Sequence, residues 1–136
     1  MRWIAPISML VTLLTVWPSF ALEPITPREF RDYAEGYTLY FERDGEAFGS
    51  ESFEPGGSTT WRYRDGICVD GVWKAHGAQI CFYYGNAQAV LCWRMLRDGD
   101  RLLARLLGDG ENAGMELEIT RRDRAPLICG EPGEAL

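Results

Sequence analysis

The densest apolar pattern in the chain lies in two runs, Gln79-Ile80-Cys81-Phe82-Tyr83-Tyr84 and Ala89-Val90-Leu91-Cys92-Trp93-Arg94, joined by Gly85-Asn86-Ala87-Gln88. Two stretches rich in aromatic and β-branched residues around a short Gly- and Asn-containing loop predict a β-hairpin. Folding about Asn86-Ala87 sets Cys81 opposite Cys92, Phe82 opposite Leu91 and Ile80 opposite Trp93. Side chains alternate across a strand, so Ile80, Phe82, Leu91 and Trp93 share one face, while Cys81, Tyr83, Val90 and Cys92 share the other. The first face belongs to a core. The second brings two cysteines within reach of a cross-strand disulfide.

The same reading extends in both directions from residue 37 to residue 120. Asp44-Gly45 is a two-residue hairpin signal that sets Phe41 opposite Phe48. Pro55-Gly56 marks a turn, followed by the strand-like Thr59-Thr60-Trp61-Arg62-Tyr63. Residues 64–71, with Asp-Gly at 65–66 and 70–71, are expected as a connection with Gly71 in a bulge. A turn at Ala75-His76-Gly77 would place Trp73 opposite Ile80. A turn at Asp98-Gly99 would place Met95 opposite Leu102, Trp93 opposite Ala104 and Leu91 opposite Leu106. Met115 to Thr120 alternates strictly and predicts a half-buried strand. Independent turns thus agree on one apolar face, which is the consistency a specified fold requires. Seven or eight short strands joined mostly by tight turns predict a mainly β fold. It is an antiparallel meander that hides its edges by closing into a small barrel or a sandwich, lipocalin-like at most by analogy.

The ends of the chain read differently. Met1-Arg2, the apolar run Trp3–Trp17 and the small residues of Ser19-Phe20-Ala21 predict a secretory signal peptide over 1–21. The run is too short and too broken by Pro6 for a membrane span, so none is expected after cleavage. The domain then covers 22–136. Leu22–Pro27 is expected as a short lead. Thr26-Pro27-Arg28-Glu29 is a capping box with Pro at the first helical position, and Gly36 can end the element, so a helix is predicted over 27–35. Residues 121–136 read as a charged tail held only by Cys129.

Charge and cysteine content narrow the partners. The chain carries 14 Lys+Arg against 20 Asp+Glu; losing Arg2 with the leader leaves 13 against 20, a formal −7. Such an acidic surface argues against nucleic acid as a partner. All four cysteines lie after residue 21, and an even count in an exported chain predicts two disulfides. The hairpin register selects Cys81–Cys92, and Cys68–Cys129 follows by elimination. With no C-x-x-C and His76 as the sole histidine, no metal site is expected, and no cofactor either.

Chemistry-bearing patterns are sparse. No serine sits in a G-x-S-x-G elbow, and His76 is expected as a solvated turn residue. Glu42, Asp44, Glu46, Glu51 and Glu54 cluster around the first hairpin, where a glycosidase pair is conceivable and a solvated edge is the expectation. Asp109-Gly110-Glu111-Asn112 is oxygen-rich but reads as a plain loop. Phe41, Phe48, Trp61, Trp73, Phe82 and Trp93 fall on or near inward positions and would either fill the interior or line a ligand cavity. Tyr83, Tyr84 and Val90 are candidates for an exposed partner-binding patch.

The pattern Gly71-x-Trp73, Gly77, Gln79-Ile80-Cys81-Phe82-x-Tyr84, Cys92-Trp93 and Asp98-Gly99 resembles small exported bacterial proteins of unknown function with a W-x-x-x-G-x-x-I-C-F-x-Y…C-W core. The resemblance covers residues 37–107 and implies a periplasmic β-domain without assigned catalytic residues. A looser architectural likeness is to periplasmic lysozyme inhibitors. The expectation is a non-enzymatic periplasmic or secreted binding or cell-envelope accessory domain, its partner an apolar small molecule or an extracytoplasmic protein. An inhibitor module for an extracytoplasmic enzyme is the first alternative, and a small hydrolase the second.

Overall fold

The computed structural model describes residues 1, 11–17, 21–85 and 89–131. Most of the expected leader and the Asn86-Ala87 loop centre lie outside them. The elements are β1 (Glu23–Ile25), α1 (Pro27–Ala34), β2 (Thr38–Arg43), β3 (Glu46–Phe53), β4 (Ser58–Tyr63), β5 (Cys68–His76), β6 (Gln79–Tyr84), β7 (Leu91–Asp98), β8 (Arg101–Leu106) and β9 (Glu116–Asp123). Strands β2 to β9 pair antiparallel in chain order, and β9 returns to β2, so eight strands close into an up-and-down barrel. Closure removes the exposed edges that an open meander would leave.

The ninth strand, β1, forms where the sequence reads as a short lead. It pairs with Met95 to Arg97 of β7, whereas β6 pairs with Leu91 to Trp93 of the same strand. β1 therefore continues the line of β6 along one flank of β7. The helix that follows starts as the capping box requires. Thr26 Oγ1 accepts from the Glu29 amide at 3.2 Å, and the Thr26 amide donates back to Glu29 Oε2 at 2.8 Å. Helix α1 buries Phe30 and Ala34, and Gly36 follows it at φ 83°.

The central hairpin has the expected register, with Cys81 opposite Cys92, Phe82 opposite Leu91 and Ile80 opposite Trp93. Disulfides Cys81–Cys92 and Cys68–Cys129 are both present. Two other turns sit one residue later than expected. Gly77-Ala78 turns β5 into β6, so Trp73 faces Phe82 rather than Ile80. Gly99-Asp100 turns β7 into β8, so Met95 faces Ala104 and Trp93 faces Leu106. Each shift moves the partner by two residues, which keeps every side chain on its face. Only residues 64–67 form the connection before β5, and Gly71 sits in an unbroken ladder between Thr59 and Tyr84. The bulge expected at Gly71 is absent; glycine is needed there because a Cβ would lie 2.7 Å from the Tyr84 ring and 2.8 Å from the Tyr83 carbonyl.

One correction changes faces. Asp44 and Gly45 do form the turn, both at positive φ, and Arg43 pairs with Glu46. A bulge then leaves Phe48 without an opposite residue, so Phe41 faces Gly49. A Cβ on Gly49 would collide with the Trp61 indole, and a bare backbone at this point lets the indole lie across β3. The slip of one residue turns Gly49, Glu51 and Phe53 toward the interior.

The C-terminal segment is also more ordered than expected. Strand β9 runs on to Asp123, and Arg121 to Asp123 pair with Thr38 to Tyr40 to close the barrel. Planar guanidinium groups let this charged stretch pack on aromatic faces: Arg121 lies 3.8 Å above Tyr40, and Arg122 4.4 and 4.2 Å above Tyr33 and Tyr37. Beyond the strand, Ala125 O accepts from Thr38 Oγ1 at 2.8 Å, Ile128 O accepts from Arg62 Nε at 2.8 Å, and the Gly130 amide donates to Gly66 O. Cys129 is one of several attachments.

Candidate functional site

The barrel has two unlike ends. Turns at 54–57, 77–78 and 99–100 surround the end where α1 docks, and those at 44–45, 64–67 and 107–115, with the end of β6 and the start of β7, surround the other. At the helix end, Phe30 enters the barrel and meets Phe53 and Trp73 edge-on, at centroid distances of 5.5 and 5.6 Å. Trp73 is 4 % exposed, with the Arg31 guanidinium 4.4 Å over its ring. This end is filled.

Above Phe30 the interior is hollow. A cavity of about 240 Å³, partly open to solvent, is lined by Phe30, Phe41, Phe48, Glu51, Trp61, Tyr63, Ile80, Phe82, Tyr84, Leu91, Trp93, Met95, Ala104, Leu106, Asn112, Met115 and Leu117. A shallow hollow bounded by Phe48, Trp61, Tyr63, Arg64 and Asp65 adjoins it at the loop end. Of the six aromatics expected to line or fill the interior, Phe41, Phe48, Trp61, Phe82 and Trp93 are on the wall. Trp73 is not; the docked helix takes the space beside it, and it belongs to the filled end.

The wall carries one ionisable carboxyl. Glu51, on the inward face of β3, is 3 % exposed. Burial raises its pKa from 4.5 to about 7, against the lowering effect of hydrogen bonds from Tyr84 and Thr59. Tyr84 donates its hydroxyl to Glu51 Oε1 at 2.6 Å. Its ring reaches that point by lying across the bare backbone of Gly71, stacked at 5.9 Å on Phe82. Burial first, and then the Glu51 charge, push the Tyr84 phenol far above its ordinary value, so it stays a donor. Thr59 Oγ1 lies 2.7 Å from Glu51 Oε1 and 2.8 Å from the Ser52 carbonyl oxygen. A hydroxyl has one hydrogen for those two acceptors. When it is given to Ser52, the Glu51 contact needs a proton on the carboxyl, which agrees with the raised pKa.

Glu51 Oε2 is different. Among the described residues it has no hydrogen-bond partner, yet among them no fully buried side-chain oxygen lacks one. Oε2 is therefore reachable, and the space it reaches is the cavity that Glu51 lines. No Lys, Arg or His is on the wall, and none forms an ion pair with Glu51 among the described residues.

The remaining expected positions are scattered. Tyr84 belongs to the interior and not to a surface patch, because it shares the parity of Ile80 and Phe82; that spacing was visible in the sequence. Tyr83 and Val90 are exposed at 43 % and 47 %, and Val72, opposite Tyr83, is exposed beside them. His76 ends β5 on the surface. Glu42, Asp44, Glu46 and Glu54 stay outside the cavity wall, so Glu51 has no second carboxylate beside it there. Asn112 of the 109–112 loop lines the cavity, and no group of three or more metal-ligating residues is found among the described residues. The sequence pattern puts Glu51 on a solvated edge; only the bulge at Phe48, which no local residue pattern announces, brings it inside. No family model, no curated protein and no solved structure matches this chain.

Proposed function

We propose that this chain is a non-enzymatic, exported binding domain whose barrel interior takes one small, largely apolar molecule. The observation that carries the reading is an aromatic-walled cavity of about 240 Å³ whose lining, among the described residues, holds a single carboxyl, that of Glu51. Ligand sites are mostly apolar hollows with a few placed polar groups, and a cavity of roughly 150 Å³ already accepts benzene. The cavity thus suits a molecule with one ring and a short side chain, or of similar bulk. Export is supported by the leader-like residues 1–21 and by the two disulfides. The W-x-x-x-G-x-x-I-C-F-x-Y…C-W core supports grouping it with small exported bacterial proteins. Absence of a second carboxylate on the wall and the surface position of His76 favour binding over hydrolysis. The exposed Tyr83, Val90 and Val72 support a second reading, in which the outer face of β5–β7 contacts an extracytoplasmic protein.

Native, non-reducing mass spectrometry of protein recovered from the exported fraction tests the first reading. The expected species is cleaved after Ala21, has four oxidised thiols, and carries a small added mass that leaves on denaturation. A bare chain whose Trp fluorescence and calorimetric heat are unmoved by millimolar phenyl compounds would overturn it.

A further inference from the structure

Glu51 Oε2 is an acceptor that the cavity leaves open, and its surroundings select what should meet it. We infer that the ligand is a small organic cation, an arylalkyl or similar amine, whose ammonium pairs with Glu51 Oε2 while its apolar part lies against the aromatic wall. The inference rests on the proposed cavity-binding function and adds the chemical class.

Three observations converge. Among the described residues Glu51 is the sole acidic or basic side chain on the wall, and none of them supplies a cation to it. Its other oxygen is already held by Tyr84 and Thr59, so the carboxylate is positioned before anything binds. Trp61, the residue paired with Glu51 on neighbouring β4, and the other wall aromatics supply rings of the kind on whose electron-rich faces a desolvated ammonium is stabilised. An anionic ligand such as a fatty acid would meet a like charge with no compensating base. A neutral alcohol would gain a hydrogen bond at Oε2 but not the charge attraction.

Binding must also move a proton. In the empty barrel below neutral pH, Glu51 is protonated and Thr59 can serve Ser52. When an ammonium arrives, the Glu51 proton leaves to solvent, the carboxylate pairs with the ammonium, and the Thr59 hydroxyl can turn its hydrogen to Oε1. Among the described residues, the titratable groups that share the cavity wall with Glu51 are Tyr84 on β6 and Tyr63 on β4, both phenols. β2, β5, α1 and the β7–β9 wall face it with groups that do not titrate, so the pH response belongs to Glu51.

The test uses the oxidised, leader-free protein and three probes of similar bulk: 2-phenylethylamine, 2-phenylethanol and phenylacetate, followed by calorimetry and by Trp fluorescence. The expected result at pH 8 is an amine affinity at least tenfold above that of the alcohol, with phenylacetate weakest. Because only the ionised fraction of Glu51 is competent, amine affinity should fall roughly a hundredfold from pH 8 to pH 5, and alcohol affinity should not. Calorimetry in buffers of different ionisation enthalpy should show close to one proton released per amine at pH 5.5 and almost none at pH 8. Glu51→Gln should bring amine and alcohol to equal affinity; the wild-type pH and proton-release measurements decide the matter should that variant misfold. Equal binding of amine and alcohol, or preference for phenylacetate, would overturn the cation and leave the cavity function standing. No binding of any probe would overturn both.

Discussion

Two aromatic clusters occupy one barrel, and they behave oppositely. Phe30, Phe53 and Trp73 fill the helix end; Phe48, Trp61, Tyr63 and Trp93 surround a hollow at the other. Residue type does not separate them, since both are rings on inward positions. What differs is whether a second element supplies atoms to the middle. Helix α1 inserts Phe30 between Phe53 and Trp73, whereas at the loop end the described residues place no side chain across the space, and the rings stand around it. Aromatic content tells how much wall there is, and topology tells whether the wall is packed against.

The largest test of this contrast removes the plug. Phe30→Ala should cost about 3–5 kcal/mol of unfolding free energy, as full truncation of a packed ring does. Trp61→Ala, whose ring already borders empty space, should cost clearly less; equal losses in urea titrations would mean that the two ends are packed alike. The next effect is electrostatic. A carboxyl whose pKa rises from 4.5 unfolded to about 7 folded binds its proton more tightly in the folded state. Its contribution is therefore fully present below pH 4.5 and is lost as pH rises through about 7, with no further loss above that. The difference between Glu51→Gln and wild type should grow over that window by on the order of 3 kcal/mol in favour of the variant. A difference that stays constant with pH would place the Glu51 carboxyl in water. The smallest effect lies outside: Tyr83→Ser, on an exposed outer position, should change stability by less than about 0.5 kcal/mol and leave probe binding intact, with denaturation midpoint and calorimetry as checks.

The barrel itself was legible because its turns were. Asp44-Gly45, Pro55-Gly56 and the Gly85-Asn86 region set hairpins in sequence order, and turns misplaced by one residue shifted partners by two without changing any face. Cys81 facing Cys92 then fixed both disulfides. The site was less legible, for a reason of parity. Pairing Phe41 with Phe48 put Glu51 outside; the bulge that frees Phe48 puts it inside, and bulges depend on contacts between strands rather than on local pattern. Tyr84 was recoverable, since it lies two residues from Phe82. β1 was not: three residues with a proline at their centre carry too little periodicity to announce a strand.

Among the described residues β6 and β7 share only three paired positions, fewer than any other junction around the ring. Hydrogen bonds alone would make this the place where the eight strands come apart into a curled sheet. The Cys81–Cys92 bond crosses that junction, on the outer side of Leu91 and Phe82, both wall residues of the cavity. The seam of the cylinder is thereby covalent, and a thermal fluctuation that breaks three rungs still cannot part the edges. For this chain, oxidation of one cysteine pair adds a covalent clasp at the point where the circumference is held by the fewest rungs.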